Sequence, residues 1–244
     1  MELARVFARN GHDLVLVARR TDRLEALADE IATNGHPRPL PLPIDLEKPG
    51  AGDRIDEALA AHGLEPQFVV NNAGFGLVGG VESRDRNEQL GMIDLNIRTL
   101  TDFSLRWLDA MTRHRGGLLN VASVAGFLPG PGSAVYYASK AFVVSFTEAL
   151  HQEWKDRGLK VTALCPGPVP TEFQARAGVP GSHGPALLQI PASRVADEGY
   201  RGLMAGRRMV VPGAFNKLIV TLSGIMPRQL LLAGVDRHQR GRMR

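Results

Sequence analysis

Short apolar runs recur along the chain at 14–18, 40–44, 68–71, 117–121, 161–165 and 209–211, separated by stretches of mixed polarity. They are too uniformly apolar to keep one face in water, so they predict strands buried on both faces. Helices are predicted over 21–33, where Leu24, Leu27, Ala28 and Ile31 share one stripe, over 51–61, over about 86–114 and over about 135–156. Asn34-Gly35 and Arg157-Gly158 supply stop signals for two of them. There is no fixed-period repeat and no linker. The alternation of strand and helix therefore predicts a single α/β domain, a doubly wound parallel sheet with helices on both faces and right-handed crossovers. Ligands bind such sheets beyond the carboxyl ends of the strands, so chemistry is expected in the residues that follow each strand.

Composition narrows the function classes. With 244 residues, 44% hydrophobic and 22% charged, the chain can bury one core and is neither disordered nor a multispanning membrane protein. A net charge of +4, with a modest excess of bases at Arg201, Arg207 and Arg208 and from 237 to 244, reads as solvated basic surface, with no nucleic-acid partner expected. The lone Cys165 has no internal disulfide partner, and no Cys/His cluster has metal-ligand spacing, which points to a reducing, cytoplasmic setting. The N-terminal residues lack the pattern of a secretory signal. The apolar stretch 218–226 stops at Pro227 and Arg228, well short of the roughly 20 residues a membrane span needs. The tail from 215 to 235, with Leu218, Ile219, Leu222, Ile225, Met226, Leu230 and Leu231, is expected to pack into the core. The alternatives are an apolar substrate pocket, a subunit interface and a peripheral membrane contact.

The most informative stretch is Val121-Ala-Ser-Val-Ala-Gly followed by Tyr136-Tyr-Ala-Ser-Lys140. Ser123 falls at a strand end, and the i, i+4 spacing puts Tyr136 and Lys140 on one helix face. A free phenol has a pKa of about 10 and is a poor acid or base at neutral pH, but a nearby ammonium favours the phenolate. Lys140 is thus expected to tune Tyr136, with Ser123 holding a substrate oxygen beside the phenol.

Joined to Asn71-Asn72-Ala73-Gly74 after one strand and Pro166-Gly167 after another, these residues make the chain resemble the short-chain dehydrogenase/reductase family from about residue 1 to 213. The resemblance implies a Rossmann-type fold over 1–213, with 214–244 an apolar and basic extension of the same domain. It implies catalytic Ser123, Tyr136 and Lys140, with Asn96 supporting a proton-relay water and Lys140 also bonding the nicotinamide ribose. Asn96 has a plainer reading as an amide satisfied within its own helix. The resemblance further implies cofactor contacts from Asp45 and Leu46 at the adenine, from Asn71, Asn72, Ala73 and Gly74, and from Pro166, Gly167, Val169 and Thr171 at the nicotinamide. Thr171 can equally serve as a helix N-cap.

Where the family reads its cofactor, Val17-Ala-Arg19-Arg20 offers two guanidinium groups and no carboxylate, which favours NADP over NAD. The alternative pairs Arg19 and Arg20 with Asp22 or Glu25. One departure is large: the strand and glycine-rich turn with which the family opens are absent, and residues 2–11 look like the helix that follows that turn. The missing strand is central, so the sheet is expected to split. The start codon is expected to be misplaced, the natural chain longer, and the 244-residue form prone to aggregate or to bind NADP poorly. Gly178, Pro180, Gly181 and Gly184 suggest a substrate lid or a plain surface loop, with a helix opening at Ala192-Ser-Arg-Val-Ala196.

The functional expectation is an NADP-dependent oxidoreductase acting on a carbonyl or secondary alcohol, its substrate a small, apolar molecule and its state a homo-oligomer. The alternatives are a catalytically silent nucleotide-sensing or scaffold protein and a membrane-associated lipid or acyl-chain reductase.

Overall fold

The computed structural model describes residues 1–179 and 186–243. In chain order the elements are α1 (Glu2–Arg9), β1 (Val15–Ala18), α2 (Thr21–Thr33), β2 (Leu40–Pro43), α3 (Ala51–Ala61), β3 (Phe68–Asn71), α4 (Arg86–Ile93), a π turn (Asp94–Thr99), α5 (Leu100–Arg106) and α6 (Leu108–Arg113). There follow β4 (Gly117–Val121), α7 (Ala134–Trp154), β5 (Lys160–Leu164), the short α8 (Phe173–Arg176), α9 (Ala192–Met204), β6 (Met209–Val210), α10 (Ala214–Ser223) and α11 (Arg228–Met243).

Every strand pairing is parallel, but the strands form two ladders, β1-β2 and β3-β4-β5-β6. No pairing joins β1 to β3 among the described residues, which is the expected division of a doubly wound sheet. β2 lies at an edge because of its prolines. Leu40 N–H donates to Leu14 O at 2.9 Å, so the alternate positions, Pro41 and Pro43, turn their donor-less nitrogens away from the ladder.

β4 and β5 are the buried centre. Leu118 and Val161 point to one face, against Met111, Leu150 and Trp154, while Leu119 and Leu164 point to the other, against Phe7, Val195 and Leu203. Both faces are therefore apolar, as the uniform runs require. Phe7 fixes α1 to the sheet through edge-to-face contacts with Phe68 and Tyr200, at centroid distances of 6.0 and 5.0 Å.

Two expectations need correction. The helix expected over 86–114 is broken into α4, the π turn, α5 and α6, with Trp107 non-helical at φ −108° and ψ 24°. The Trp107 indole donates instead to Asp56 Oδ1 at 2.7 Å, a tertiary bond that sequence periodicity does not reveal. The tail is not core. Asn216 is buried and Val220 packs inward, but Leu218, Leu222, Ile225, Met226 and Leu230 face solvent. Of the glycine-rich lid, Gly178 is described, at φ +82°, whereas Pro180, Gly181 and Gly184 lie outside the described residues.

Candidate active site

The carboxyl ends of β3, β4 and β5 bring Ser123, Tyr136, Lys140 and Asn96 into one neighbourhood. Ser123 follows β4 with an extended backbone. Its hydroxyl accepts from Ala125 N–H at 3.1 Å, lies 3.4 Å from Pro166 O and stands beside the Tyr136 phenol, where it favours the phenolate. Tyr136 and Lys140 leave the same face of α7, as their spacing predicts. The Phe173 ring of α8 covers Tyr136 at 5.4 Å between centroids.

Lys140 departs from expectation. Its Nζ donates to Val121 O at 2.8 Å and stands 5.9 Å from the centre of the Tyr136 ring. Burial lowers the ammonium to about 8, and burial pushes the phenol up to about 12 despite the opposing effect of Ser123. Loss of solvation therefore dominates both groups.

Asn96 is held by the π turn, the kind of local irregularity that recurs at functional positions. Its amide is not satisfied within its own helix. Oδ1 accepts from Phe75 N–H at 3.1 Å, while Nδ2 donates to Phe75 O at 2.9 Å and Ser139 Oγ at 3.0 Å. Asn96 thus clamps the backbone just after Asn71-Asn72-Ala73-Gly74 against α7. Gly74 fits this clamp because it has no side chain: a Cβ would lie 2.8 Å from Asn96 Oδ1 and 3.6 Å from Lys140 Nζ. Since Asn96 is fully buried with three bonds, it has little freedom to yield. Gly74→Ala is expected to destabilise the fold by about 1–3 kcal/mol, read as a lowered melting temperature. An unchanged melting curve would show that the clamp relaxes.

Asn71 lies deeper than its implied role requires. Its Nδ2 is 2.9 Å from Asn120 Oδ1, 3.1 Å from Ser104 Oγ and 3.3 Å from Leu100 O, and Asn120 in turn donates to Thr147 Oγ1 at 3.0 Å. This interior polar network ties β3 and β4 to α5 and α7. Asn72 and Ala73, by contrast, are exposed at the strand end. Asp45 caps its own turn, its Oδ1 accepting from Glu47 N–H at 3.1 Å, while Leu46 packs between two apolar clusters. Pro166, Gly167 and Val169 are partly buried along one loop. Thr171 is exposed, and its hydroxyl accepts from Phe173 N–H at 3.3 Å, but the N-cap of α8 is Glu172, so Thr171 sits one residue ahead of the cap.

The guanidinium groups at the end of β1 are exposed, and their partners come from other elements. Arg19 meets Glu47 at 3.2 Å, and Arg20 meets Glu172 at 3.1 Å, rather than Asp22 or Glu25. Arg23 also reaches Glu172, giving a third cation that the sequence reading missed although its i, i+3 spacing from Arg20 made it findable. Exposed pairs of this kind are weak, so an incoming phosphate can displace the carboxylates.

A small cavity beside Tyr136 is lined by Leu77, Gly79, Arg84, Gln89, Met92 and Ser133. No group of three metal-ligating side chains occurs among the described residues. Cys165 is buried, and burial pushes its thiol up to about 12, so it is unreactive.

Comparisons with known proteins follow the same lines. A family model described as short chain dehydrogenase matches residues 1–179. A sulfoacetaldehyde reductase of Chromohalobacter salexigens is 36% identical over 79% of this chain and 77% of its own length. An NADP-dependent 3-hydroxy acid dehydrogenase of Salmonella typhi is 34% identical over 71% of this chain and 69% of its own. Among solved structures, a short-chain dehydrogenase from Sphingobium yanoikuyae in complex with NADPH superposes with a TM-score of 0.79 and 28% identity, over 92% of this chain and 89% of that one.

Proposed function

The chain belongs to the short-chain dehydrogenase/reductase family, and from that premise we propose that it is an NADP-dependent oxidoreductase that interconverts a carbonyl compound and its alcohol. The observation that carries this reading is the convergence of Ser123, Tyr136, Lys140 and Asn96 at the carboxyl ends of adjacent parallel strands, with Ser123 beside the phenol. The residues present fit a dinucleotide at both ends. Arg19, Arg20 and Arg23 suit an adenosine 2′-phosphate, and the Lys140 ammonium, held at the carboxyl end of β4 by Val121 O, suits the hydroxyls of a ribose. The nicotinamide, when bound, supplies or accepts the hydride.

The remaining work falls to this chain. For reduction, Ser123 Oγ and the Tyr136 phenol both hydrogen-bond the carbonyl oxygen, and the phenol passes its proton to that oxygen as it becomes an alcohol. Lys140, whose ammonium stands 5.9 Å from the Tyr136 ring centre, would hold the ribose. Asn96 acts by positioning, keeping the 72–75 backbone at the distance the cofactor needs. The relative named as an NADP-dependent 3-hydroxy acid dehydrogenase and the NADPH-bound structure support the choice of NADP.

NADPH oxidation with a panel of aldehydes and ketones tests the reading. Carbonyl-dependent oxidation is expected with NADPH in preference to NADH, and its absence across the panel would overturn the proposal. In the double variant Arg19→Ala with Arg20→Ala, the Kd for NADPH is expected to rise about 10- to 100-fold, corresponding to charge-assisted bonds of roughly 1.5–3 kcal/mol, with no change for NADH. Equal losses for both cofactors would remove Arg19 and Arg20 from the 2′-phosphate site.

A further inference from the structure

The large apolar side chains that face solvent are concentrated on the C-terminal helices. Phe215, Leu218 and Leu222 form an outward stripe on α10, while Asn216 and Val220 turn inward. Beyond α10, Ile225 is 78% exposed, and Leu230 and Leu232 are exposed on α11. Scattered exposed apolar residues are normal, but a concentration of them on two successive helices marks an interaction surface.

Charge identifies the partner. From 199 to 235 the chain has no Asp or Glu and five Lys or Arg. Over 199–244 there are nine basic residues and one acid, although the whole chain carries only +4, so residues 1–198 are net negative. Arg201, Arg207 and Lys217 line a cavity of about 400 Å³ together with Met209 and Val211, and Glu198 on its wall is engaged by Arg194 at 2.9 Å. Lys217 lies on α10 beside Leu218 and joins this cationic cavity to the apolar stripe.

We infer that this face docks on an anionic lipid surface, with the α10 stripe and Ile225 seated among acyl chains and the Arg201, Arg207 and Lys217 cavity receiving lipid headgroups. Apolar side chains flanked by cations are the chemistry that binds the membrane interface. A second copy fits less well, because pairing this face with itself opposes like charges. No helix among the described residues is long and apolar enough to cross a membrane, so the contact lies in the interfacial plane.

Flotation of the full chain with vesicles tests the assignment, comparing phosphatidylcholine alone with phosphatidylcholine containing about one third phosphatidylglycerol. Binding is expected to be at least about tenfold tighter to the anionic vesicles and to weaken as salt is raised. Leu218→Asp combined with Ile225→Asp is expected to lower it at least about tenfold, with NADPH-dependent turnover of a water-soluble carbonyl compound unchanged. Should that variant fail to fold, Arg207→Glu with Lys217→Glu is expected to remove the preference for anionic vesicles. Equal binding to both compositions, or no binding to either, overturns the proposal. A mass in light scattering that grows with concentration, and that the Leu218/Ile225 variant abolishes, overturns it in favour of self-association.

Discussion

Phenylalanine at position 136 is expected to lower kcat for carbonyl reduction by about 10²- to 10⁴-fold, the usual span for losing a positioned acid or base, while the Kd for NADPH stays within about twofold. The substitution removes one oxygen and keeps the ring, so the contact with Phe173 at 5.4 Å survives and the fold has no reason to change. What disappears is the phenolic oxygen with its proton, beside Ser123. The phenol, pushed up to about 12 by burial, holds its proton throughout the neutral range and is ready to act as an acid. Reduction is therefore expected to be nearly flat between about pH 6 and 7 and to fall at higher pH as Lys140, lowered to about 8 by burial, loses its charge, whereas alcohol oxidation, which needs the deprotonated oxygen, gains from rising pH. Steady-state rates in both directions, with NADPH binding followed by fluorescence, check both statements. Retention of more than about a third of kcat would move the proton donor elsewhere.

The sequence exposes this site because its geometry is local. The i, i+4 spacing of Tyr136 and Lys140 on one helix, and the position of Ser123 after a uniformly apolar strand, follow from helix and sheet periodicity alone. The division into two ladders was legible for the same reason, since the uniformly apolar runs 14–18 and 68–71 are not joined by any strand among the described residues. The direction of the Lys140 ammonium was not legible. It depends on Val121 O, a carbonyl nineteen residues away that competes for Nζ at 2.8 Å.

Other features were hidden because they are set by contacts distant in sequence. The bond from the Trp107 indole reaches Asp56, 51 residues away. Glu47 and Glu172 meet Arg19 and Arg20 only because the ends of parallel strands converge in space. The tail was expected in the core on composition alone, but hydrophobicity does not say which side of a helix the core occupies. Buried Asn216 settles that: its Nδ2 donates to Pro212 O at 2.9 Å and Leu188 O at 3.2 Å, which turns Leu218 and Leu222 outward.

Asn71 shows how a family motif can carry a structural duty within a functional loop. Asn71→Leu keeps similar volume but removes the donor that serves Asn120 Oδ1 at 2.9 Å and Ser104 Oγ at 3.1 Å. Ser104 still bonds Leu100 O at 2.7 Å, so the main loss falls on Asn120, which is fully buried and is left with a Ser104 contact at 3.5 Å. Stranding one such acceptor costs about 1–3 kcal/mol, and disturbing the connected network adds to it, giving a destabilisation of about 3 kcal/mol. At about 2–4 °C per kcal/mol for a domain of this size, the melting temperature is expected to fall by about 6–12 °C. The surviving folded molecules are expected to bind NADPH with unchanged Kd, because Asn71 points into the β3–β4 interior, away from exposed Asn72 and Ala73. Normal melting together with a raised Kd would return Asn71 to the cofactor.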